Sequence, residues 1–117
     1  MSAGLRARYI IEAVTATKAP SATENNECYT NTGDADGTTF TLPDDPTAGS
    51  FYCFVATVAQ LMEIDANTGE SVVSNVTTCA NFNIGAAIGE AIGVIAATGG
   101  SGAVWTPLWN NGGFTCS

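Results

Sequence analysis

The chain has 117 residues, of which 11 are acidic and 3 basic, so its formal net charge is −8. It contains no histidine, which removes the side chain most used for acid–base catalysis near neutral pH and for binding transition metals. The negative charge disfavours nucleic acid and anionic membranes as partners, no segment has the ~20 apolar residues of a membrane-spanning helix, and the length predicts one domain.

The charge is divided unevenly along the chain. The three basic residues, Arg6, Arg8 and Lys18, all lie near the N-terminus, whereas ten of the 11 acidic residues follow Lys18. The first segment is small and basic, and the remainder is acidic and richer in β-branched and aromatic residues. We therefore expect an extended N-terminal arm over residues 1–11 and a β-domain over residues 12–117.

The arm carries residues that are suited to contact another protein. Arg6 and Arg8 supply positive charge, and Tyr9, Ile10 and Ile11 follow them directly. A segment with charge, an aromatic ring and β-branched side chains is suited to add onto the sheet of another protein. We expect these five residues to bind the partner.

The first third of the chain predicts strands and turns rather than helices. Residues 8–17 are rich in β-branched residues and partly alternate, which indicates a first strand. The proline, serine and asparagine content of residues 18–26 indicates a loop. A short strand is expected around residues 28–31, and the sequence TGDADG at 32–37 indicates the turn that follows it.

Two strands with distinct patterns follow this turn. Residues 38–42 alternate polar and apolar side chains, which places Phe40 and Leu42 on one face, and Pro43 ends the strand. Residues 50–59 read SFYCFVATVA, which is apolar on both faces of a strand. Such a strand is either central between two layers or half of a subunit interface.

The second half of the chain is less uniform. Residues 61–65 and 72–78 are expected strands. Residues 84–98 are ambiguous, because isoleucine and glycine recur every four residues as on a helix packing face, yet glycines destabilise a soluble helix. We favour a strand over residues 92–96, with bulges or bends at the preceding glycines. Residues 104–116 predict a strand, an Asn-Asn-Gly-Gly turn and a closing strand.

These patterns together predict an all-β fold, a single β-sandwich or barrel-like domain. Four cysteines lie in separate segments, at Cys28, Cys53, Cys79 and Cys116. Their spacing excludes Cys-x-x-Cys pairs, and the absence of histidine excludes a mixed Cys/His zinc site. Their even number permits two disulfides whose pairing stays open, and buried free thiols are the alternative.

Paired carboxylates are the remaining candidates for chemistry. Asp34 and Asp36 alternate before a glycine as in calcium loops, but the rest of the EF-hand pattern is absent, which favours a solvated turn. Glu63 with Asp65, or Glu90 in its apolar segment, could serve glycoside hydrolysis, but ordinary structural roles explain them as well. We expect no enzyme activity, no metal and no cofactor.

Four aromatic residues, Tyr52, Phe54, Trp105 and Trp109, are candidates for a subunit interface. Large aromatic side chains dominate the energetics of cores and interfaces. A platform on which a sugar ring stacks is the alternative.

Several short runs resemble a module of tailed-bacteriophage virion proteins. In that module an NTG…TFTLP hairpin leads to a G…Y-x-F-V strand, an I-D strand with a turn, an IG segment and a final strand that carries tryptophan. The four cysteines and the Gly/Ala-rich stretch before Ile92 depart from the pattern. The similar runs here are residues 29–33, 39–43, 49–59, 62–67, 88–89 and 94–105.

The resemblance implies a capsid decoration (cement) protein or a fibre-type β domain, which tend to be trimeric and non-enzymatic. We therefore expect a homotrimer on the outer surface of the capsid, bound to the major capsid protein. A protein that binds only the assembled shell stabilises that shell by mass action. A receptor- or glycan-binding domain of a head or tail fibre is the alternative, and the family carries no catalytic residues over to this chain.

Overall fold

Buried aromatic side chains join two β-sheets across the core of the computed structural model, which describes residues 10–74, 77–112 and 114–116. The ring of Phe40 in one sheet lies 5.3 Å from that of Tyr29 and 4.9 Å from that of Phe54 in the other sheet, between centroids. Tyr52 and Trp105 extend this cluster, with their rings 5.9 Å apart. All five side chains are fully buried. The predicted all-β fold is confirmed, and its two sheets pack into a sandwich.

The sheets are mixed, with parallel and antiparallel pairs in each. The larger has the strand order β1-β3-β5-β10-β11-β7-β8, and the smaller has the order β12-β9-β6-β4-β2. Within the described ranges the structure contains no helix that is long and apolar enough to span a membrane. The strands in chain order are β1 (Ile10–Ala13), β2 (Thr17–Lys18), β3 (Glu27–Thr30), β4 (Thr38–Thr41), β5 (Phe51–Val55), β6 (Met62–Asp65), β7 (Ser71–Val73), β8 (Thr78–Cys79), β9 (Asn81–Ile84), β10 (Ala91–Ala96), β11 (Val104–Asn111) and β12 (Thr115–Cys116).

Strand patterns in the first half of the chain agree with these assignments. In β4 the side chain of Phe40 is buried, whereas Thr39 and Thr41 are half-buried on the opposite face, as the alternation predicted. Strand β5 lies between β3 and β10 and is buried on both faces. Of the two alternatives for this segment, the central position between layers is therefore correct.

Four of the expected strands have different boundaries. The strand expected over residues 50–59 is shorter, because β5 ends at Val55 and the chain then enters a loop. The strand expected over residues 8–17 is shorter, because β1 ends at Ala13 and the chain then crosses to the smaller sheet, where β2 pairs with β4. The strand expected over residues 72–78 is interrupted, because the Ser74 backbone N–H donates to the Thr77 carbonyl oxygen at 2.8 Å. Strand β11 continues through Asn111 because it pairs with β10 as far as Ala91, so the expected Asn-Asn-Gly-Gly turn begins later. Strand β9 was not predicted.

The ambiguous segment over residues 84–98 contains strand β10. Its preceding glycines form bends, since Gly85 and Gly89 have φ angles of 101° and 95°, which L-residues with side chains rarely adopt. The register between β10 and β11 shifts between Gly93 and Val94, which is a bulge. The preference for a strand with bulges over a helix is confirmed.

Both possible disulfides are present. Cys28 and Cys53 lie directly opposite each other on β3 and β5 and are bonded, and their side chains are buried against Phe51 on the outer face of the larger sheet. The second bond joins Cys79 of β8 to Cys116 of β12. It therefore links the edge strands of the two sheets, where Cys79 is half-buried and Cys116 exposed.

We predict that dithiothreitol in native buffer reduces Cys79–Cys116 before Cys28–Cys53. A thiolate must reach a sulfur atom to attack it, and of the two disulfides only Cys79–Cys116 contains an exposed cysteine, Cys116. Timed alkylation followed by peptide mass spectrometry measures the order. Release of all four thiols at one rate would show that the buried bond opens as readily as the exposed one, contrary to this prediction.

Candidate functional site

Three loops meet at one end of the sandwich, where β3 and β5 end and where β4, β6 and β10 begin. We call this surface the loop end and define it as residues 31–38, 56–61 and 85–90. Hydrogen bonds join the three loops, and Ala56 also anchors the second loop in the core.

The buried side chain of Asn31 holds the first two loops together. Its amide nitrogen donates to the carbonyl oxygens of Val58 at 3.1 Å and Gln60 at 2.9 Å. Its amide oxygen accepts from the backbone N–H groups of Thr57 at 2.8 Å and Val58 at 3.1 Å. One side chain thus satisfies four backbone groups that have no strand partner, and this fixes the conformation of residues 57–60.

Glu90 holds the third loop. Its carboxylate accepts from the backbone N–H groups of Gly85 at 2.7 Å and Ala86 at 3.0 Å. The Ala56 N–H donates to the Glu90 carbonyl oxygen, and the Gly89 N–H donates to the Ala56 carbonyl oxygen, both at 2.8 Å. The one carboxylate that the sequence placed in an apolar segment is therefore engaged in shaping a loop.

Two large apolar side chains of the loop end are exposed to solvent. Leu61 is 52% exposed and Ile88 is 70% exposed. Leu61 also borders a cavity of about 260 Å³, together with Ile84 and Ala86. Because hydrogen bonds fix the loops that carry them, neither side chain is free to fold back into the core.

The loop end has little free charge. The Asp34 carboxylate accepts from the backbone N–H groups of Asp36 at 3.2 Å and Gly37 at 2.7 Å. The predicted turn at residues 32–37 is therefore present, and Asp34 is engaged in it. With Glu90 also engaged, Asp36 is the exposed carboxylate of this surface.

Acidic residues extend from Glu12 in β1 to the opposite end of the sandwich, where β3 begins. Glu12, Glu24 and Glu27 offer carboxylate oxygens within 4.8 Å of one another, which is close enough for a shared cation. Lys18 already lies among them, with its ammonium nitrogen 2.9 Å from Glu24 and 3.5 Å from Glu12. Together with the Ser21 N–H, which donates to Glu24 at 2.8 Å, it lowers the pKa of Glu24 to about 2, the Ser21 bond contributing most.

Burial acts on Glu27 in the opposite sense. Desolvation raises the pKa of Glu27 above its ordinary value, although the Tyr29 hydroxyl donates to it at 3.0 Å. Burial and the same hydrogen bond raise the pKa of Tyr29 well above its ordinary range. This cluster is thus an internal ion-pair and hydrogen-bond network.

A second acidic group at this end contains Asp44, Asp45 and Glu70. The buried Glu70 carboxylate accepts from the Asp45 backbone N–H at 2.9 Å and from the Trp105 indole N–H at 3.3 Å. Glu70 therefore connects a surface turn to the aromatic core.

Glu63 and Asp65 share one face of β6, as predicted. Contact with the Asp65 carboxyl group is the main cause that raises the pKa of Glu63, and desolvation adds to it. Their cross-strand neighbours are Thr39, Thr41, Asn81 and Asn83, so no cationic group stands beside them on these strands.

Of the five residues proposed for partner contact, two lie in a strand and three lie outside the described residues. Arg6, Arg8 and Tyr9 lie outside the described residues, whereas Ile10 and Ile11 belong to edge strand β1, paired with β3. Ile10 and Ile11 are therefore part of the sheet and not of an extended arm, and Ile11 presents an exposed side chain.

The proposed subunit-interface residues divide in a similar way. Tyr52, Phe54 and Trp105 fill the core of a single chain and have no exposed surface, so their side chains are not available to a second subunit. Trp109 is the member of the set that stays at the surface, 38% exposed.

Sequence reasoning missed Asn31, Leu61 and Ile88 as site residues. The backbone partners of Asn31 lie 26 to 29 positions away along the chain, so no local pattern could indicate its role. Exposure of an isolated leucine or isoleucine likewise depends on neighbours that only the fold brings close.

Comparison with known proteins gives no family for this chain. No protein-family model matches it, and no curated protein matches it in sequence. The virion resemblance stays a prediction.

The acidic end leads to a pH prediction for Glu24→Gln. A carboxylate whose pKa falls from 4.5 to about 2 on folding stabilises the fold above about pH 4.5, and this contribution is lost as the pH falls towards 2. We expect Glu24→Gln to lower the free energy of unfolding at pH 7 by roughly 1–2 kcal/mol. Urea titrations at pH 7 and pH 2.5 measure the difference, which should fall to about a quarter at the lower pH, where the folded-state carboxylate is only partly protonated.

Glu12→Gln is the matched control, because it removes only the longer ion pair to the same lysine. We expect it to change stability at pH 7 by less than about 1 kcal/mol. Equal losses for the two variants, or a Glu24→Gln loss that is unchanged at pH 2.5, would contradict the assigned role of the Ser21 N–H.

Proposed function

We propose that this chain is a non-enzymatic structural protein of a tailed-bacteriophage particle, a capsid decoration protein on the outer surface of the head. In this proposal it acts as a homotrimer, and the major capsid protein is its partner. The observation that carries the proposal is the loop end, where Leu61 and Ile88 are exposed on loops fixed by Asn31 and Glu90. The sequence resemblance supports the choice of partner.

Exposed apolar side chains on fixed loops favour binding for two reasons. Burial of a leucine or isoleucine side chain contributes about 1.5–3 kcal/mol. Loops that are already ordered lose little conformational entropy when a partner covers them. The loop end therefore gains from burial without a large ordering cost.

The charge distribution supports one orientation of the bound protein. The loop end has Asp36 as its exposed carboxylate, whereas Glu24, Asp44 and Asp45 lie at the opposite end. Contact through the loop end leaves this acidic end in solvent, where its charges keep their hydration.

A trimer strengthens such a contact without new interactions. Each loop end offers two large apolar anchors, which is a small contact by the standard of stable interfaces. Three linked copies on a symmetric lattice bind together, and the effective concentration of the second and third contact multiplies the affinity.

The first test is the copy number of this chain in purified virions relative to the major shell protein, by quantitative mass spectrometry. Near-stoichiometric abundance is the expected result, because a decoration protein covers the lattice. A few trimers per particle would replace this proposal with the alternative, a receptor- or glycan-binding domain of a head or tail fibre. Absence from virions would overturn both.

The loop-end contact has its own test. We expect the double variant Leu61→Ser/Ile88→Ser to bind undecorated capsids about 100-fold more weakly or worse, because it removes both anchors. Leu108→Ser is the matched control, since Leu108 is 61% exposed but lies on β11, outside the loop end. Co-sedimentation with capsids measures binding, and light scattering checks that the oligomeric state is unchanged.

Deletion of residues 1–9 belongs in the same assay, because it removes Arg6, Arg8 and Tyr9 and leaves β1 intact. Loss of binding in the deletion with normal binding of the double variant would place the contact in the arm and not in the loop end. Wild-type binding by both variants would refute both contact surfaces.

A further inference from the structure

The outer face of the larger sheet carries no charge across β1, β3, β5, β10 and β11. Ile11, Cys28, Cys53, Gly93 and Trp109 are paired in register from one strand to the next, so they point to the same side. No acidic or basic residue occupies an outward position in the described part of these five strands. In a chain with net charge −8, this face is therefore chemically distinct.

The absence of a side chain at Gly93 leaves room for the Trp109 indole on this face, and we call this position the seat of the indole. A Cβ atom at Gly93 would lie 2.6 Å from Trp109 Cε2 and 2.7 Å from both Trp109 Nε1 and Phe51 Cζ. The indole therefore lies directly over the glycine, where any other residue would displace it. The register shift beside Gly93 is the kind of bulge that re-aims a side chain.

The indole is supported from below and still 38% exposed. The ring is therefore held in place and partly open to solvent, which differs from the buried Trp105. An aromatic face carries negative partial charge and attracts the weakly positive C–H groups of a neutral ligand. Trp109 is preorganised to present such a surface.

A cavity of about 320 Å³ adjoins the indole, which is within the size range of small-ligand sites. Ser74, Thr106, Pro107 and Asn110 complete its lining. Three of these side chains carry uncharged hydrogen-bonding groups. The Thr106 hydroxyl donates to the Val73 carbonyl oxygen at 2.7 Å, which fixes its position and leaves its lone pairs as acceptors.

We propose that this cavity is a binding site for a neutral saccharide, with Trp109 stacked against the C–H face of a sugar ring. The Asn110 amide and the acceptor lone pairs of Thr106 match the hydroxyl groups along the edge of the ring. The Ser74 hydroxyl is already hydrogen-bonded to the Thr77 backbone. Among the described residues, the lining has no cationic group to hold a phosphate, sulfate or carboxylate, and the net charge repels anions.

The saccharide site is independent of the loop-end contact. Trp109 projects from a sheet face, whereas Leu61 and Ile88 lie on loops at the end of the sandwich. A copy attached through its loop end can therefore still bind a sugar at this face.

The two tryptophans of the chain provide a measurement with an internal control. The indole N–H of Trp105 is buried and donates to Glu70, and that of Trp109 lies at the proposed site. We titrate the ¹⁵N-labelled protein with the methyl glycosides of glucose, galactose, mannose and N-acetylglucosamine, and with maltohexaose, cellohexaose and chitohexaose. Two-dimensional NMR then reports both indole signals.

We expect the Trp109 signal to shift saturably with at least one of these sugars, with a dissociation constant on the order of 1 mM, while the Trp105 signal stays in place. Glucuronic acid should give no saturable shift. No saturable shift of the Trp109 signal up to 20 mM of every neutral sugar, equal shifts of both indoles, or equal binding of glucuronic acid would overturn the proposal.

Substitutions at Trp109 and Gly93 test whether sugar binding depends on the position of the Trp109 indole. Trp109→Ala and Gly93→Ala should each weaken binding by about tenfold or more, the second by displacing the indole without removing it. Binding of these variants is followed by calorimetry. Leu108→Ala is the matched control, because Leu108 is exposed next to Trp109 and does not line the cavity. Retained affinity in Trp109→Ala, or an equal loss in Leu108→Ala, would overturn the assignment.

Discussion

The rest of the structure depends on one strand, β5, which is buried on both faces. Its inner face places Tyr52 and Phe54 in the aromatic cluster that joins the two sheets. Its outer face places Phe51 and Cys53 beneath the charge-free surface, where Phe51 supports the seat of Trp109. Because one strand contributes to both layers, a change on either face is transmitted to the other through the same backbone.

The continuation of β5 leads directly to the loop end. Residues 56–58 leave the strand and meet the buried amide of Asn31, so the core and the exposed loops share a single fixed segment. Hydrogen bonds from the Asn31 and Glu90 side chains to the backbone hold the loops that carry Leu61 and Ile88. Leu61 and Ile88 thus present exposed apolar side chains on ordered loops.

Carboxylates take structural roles throughout the described residues. Glu90 and Glu70 accept backbone hydrogen bonds, Asp34 closes a turn, and Glu24 pairs with Lys18. Of these four, Glu24 has its pKa lowered to about 2, by the Ser21 N–H and by Lys18. The chain has more acidic than basic side chains. Backbone N–H groups therefore take the place of basic side chains as hydrogen-bond donors to several carboxylates.

The amino-acid sequence by itself determined the all-β class and the alternation of residues 38–42, because these depend on a period of two along the chain. It also gave a central position between two layers as one of two alternatives for β5. It also indicated β10 over a helix, since glycine disfavours helices. The pairing of the cysteines, the role of Asn31 and the exposure of Leu61 and Trp109 were decided by tertiary structure alone. These features depend on which distant segments become neighbours, and side-chain periodicity contains no information about distance between segments.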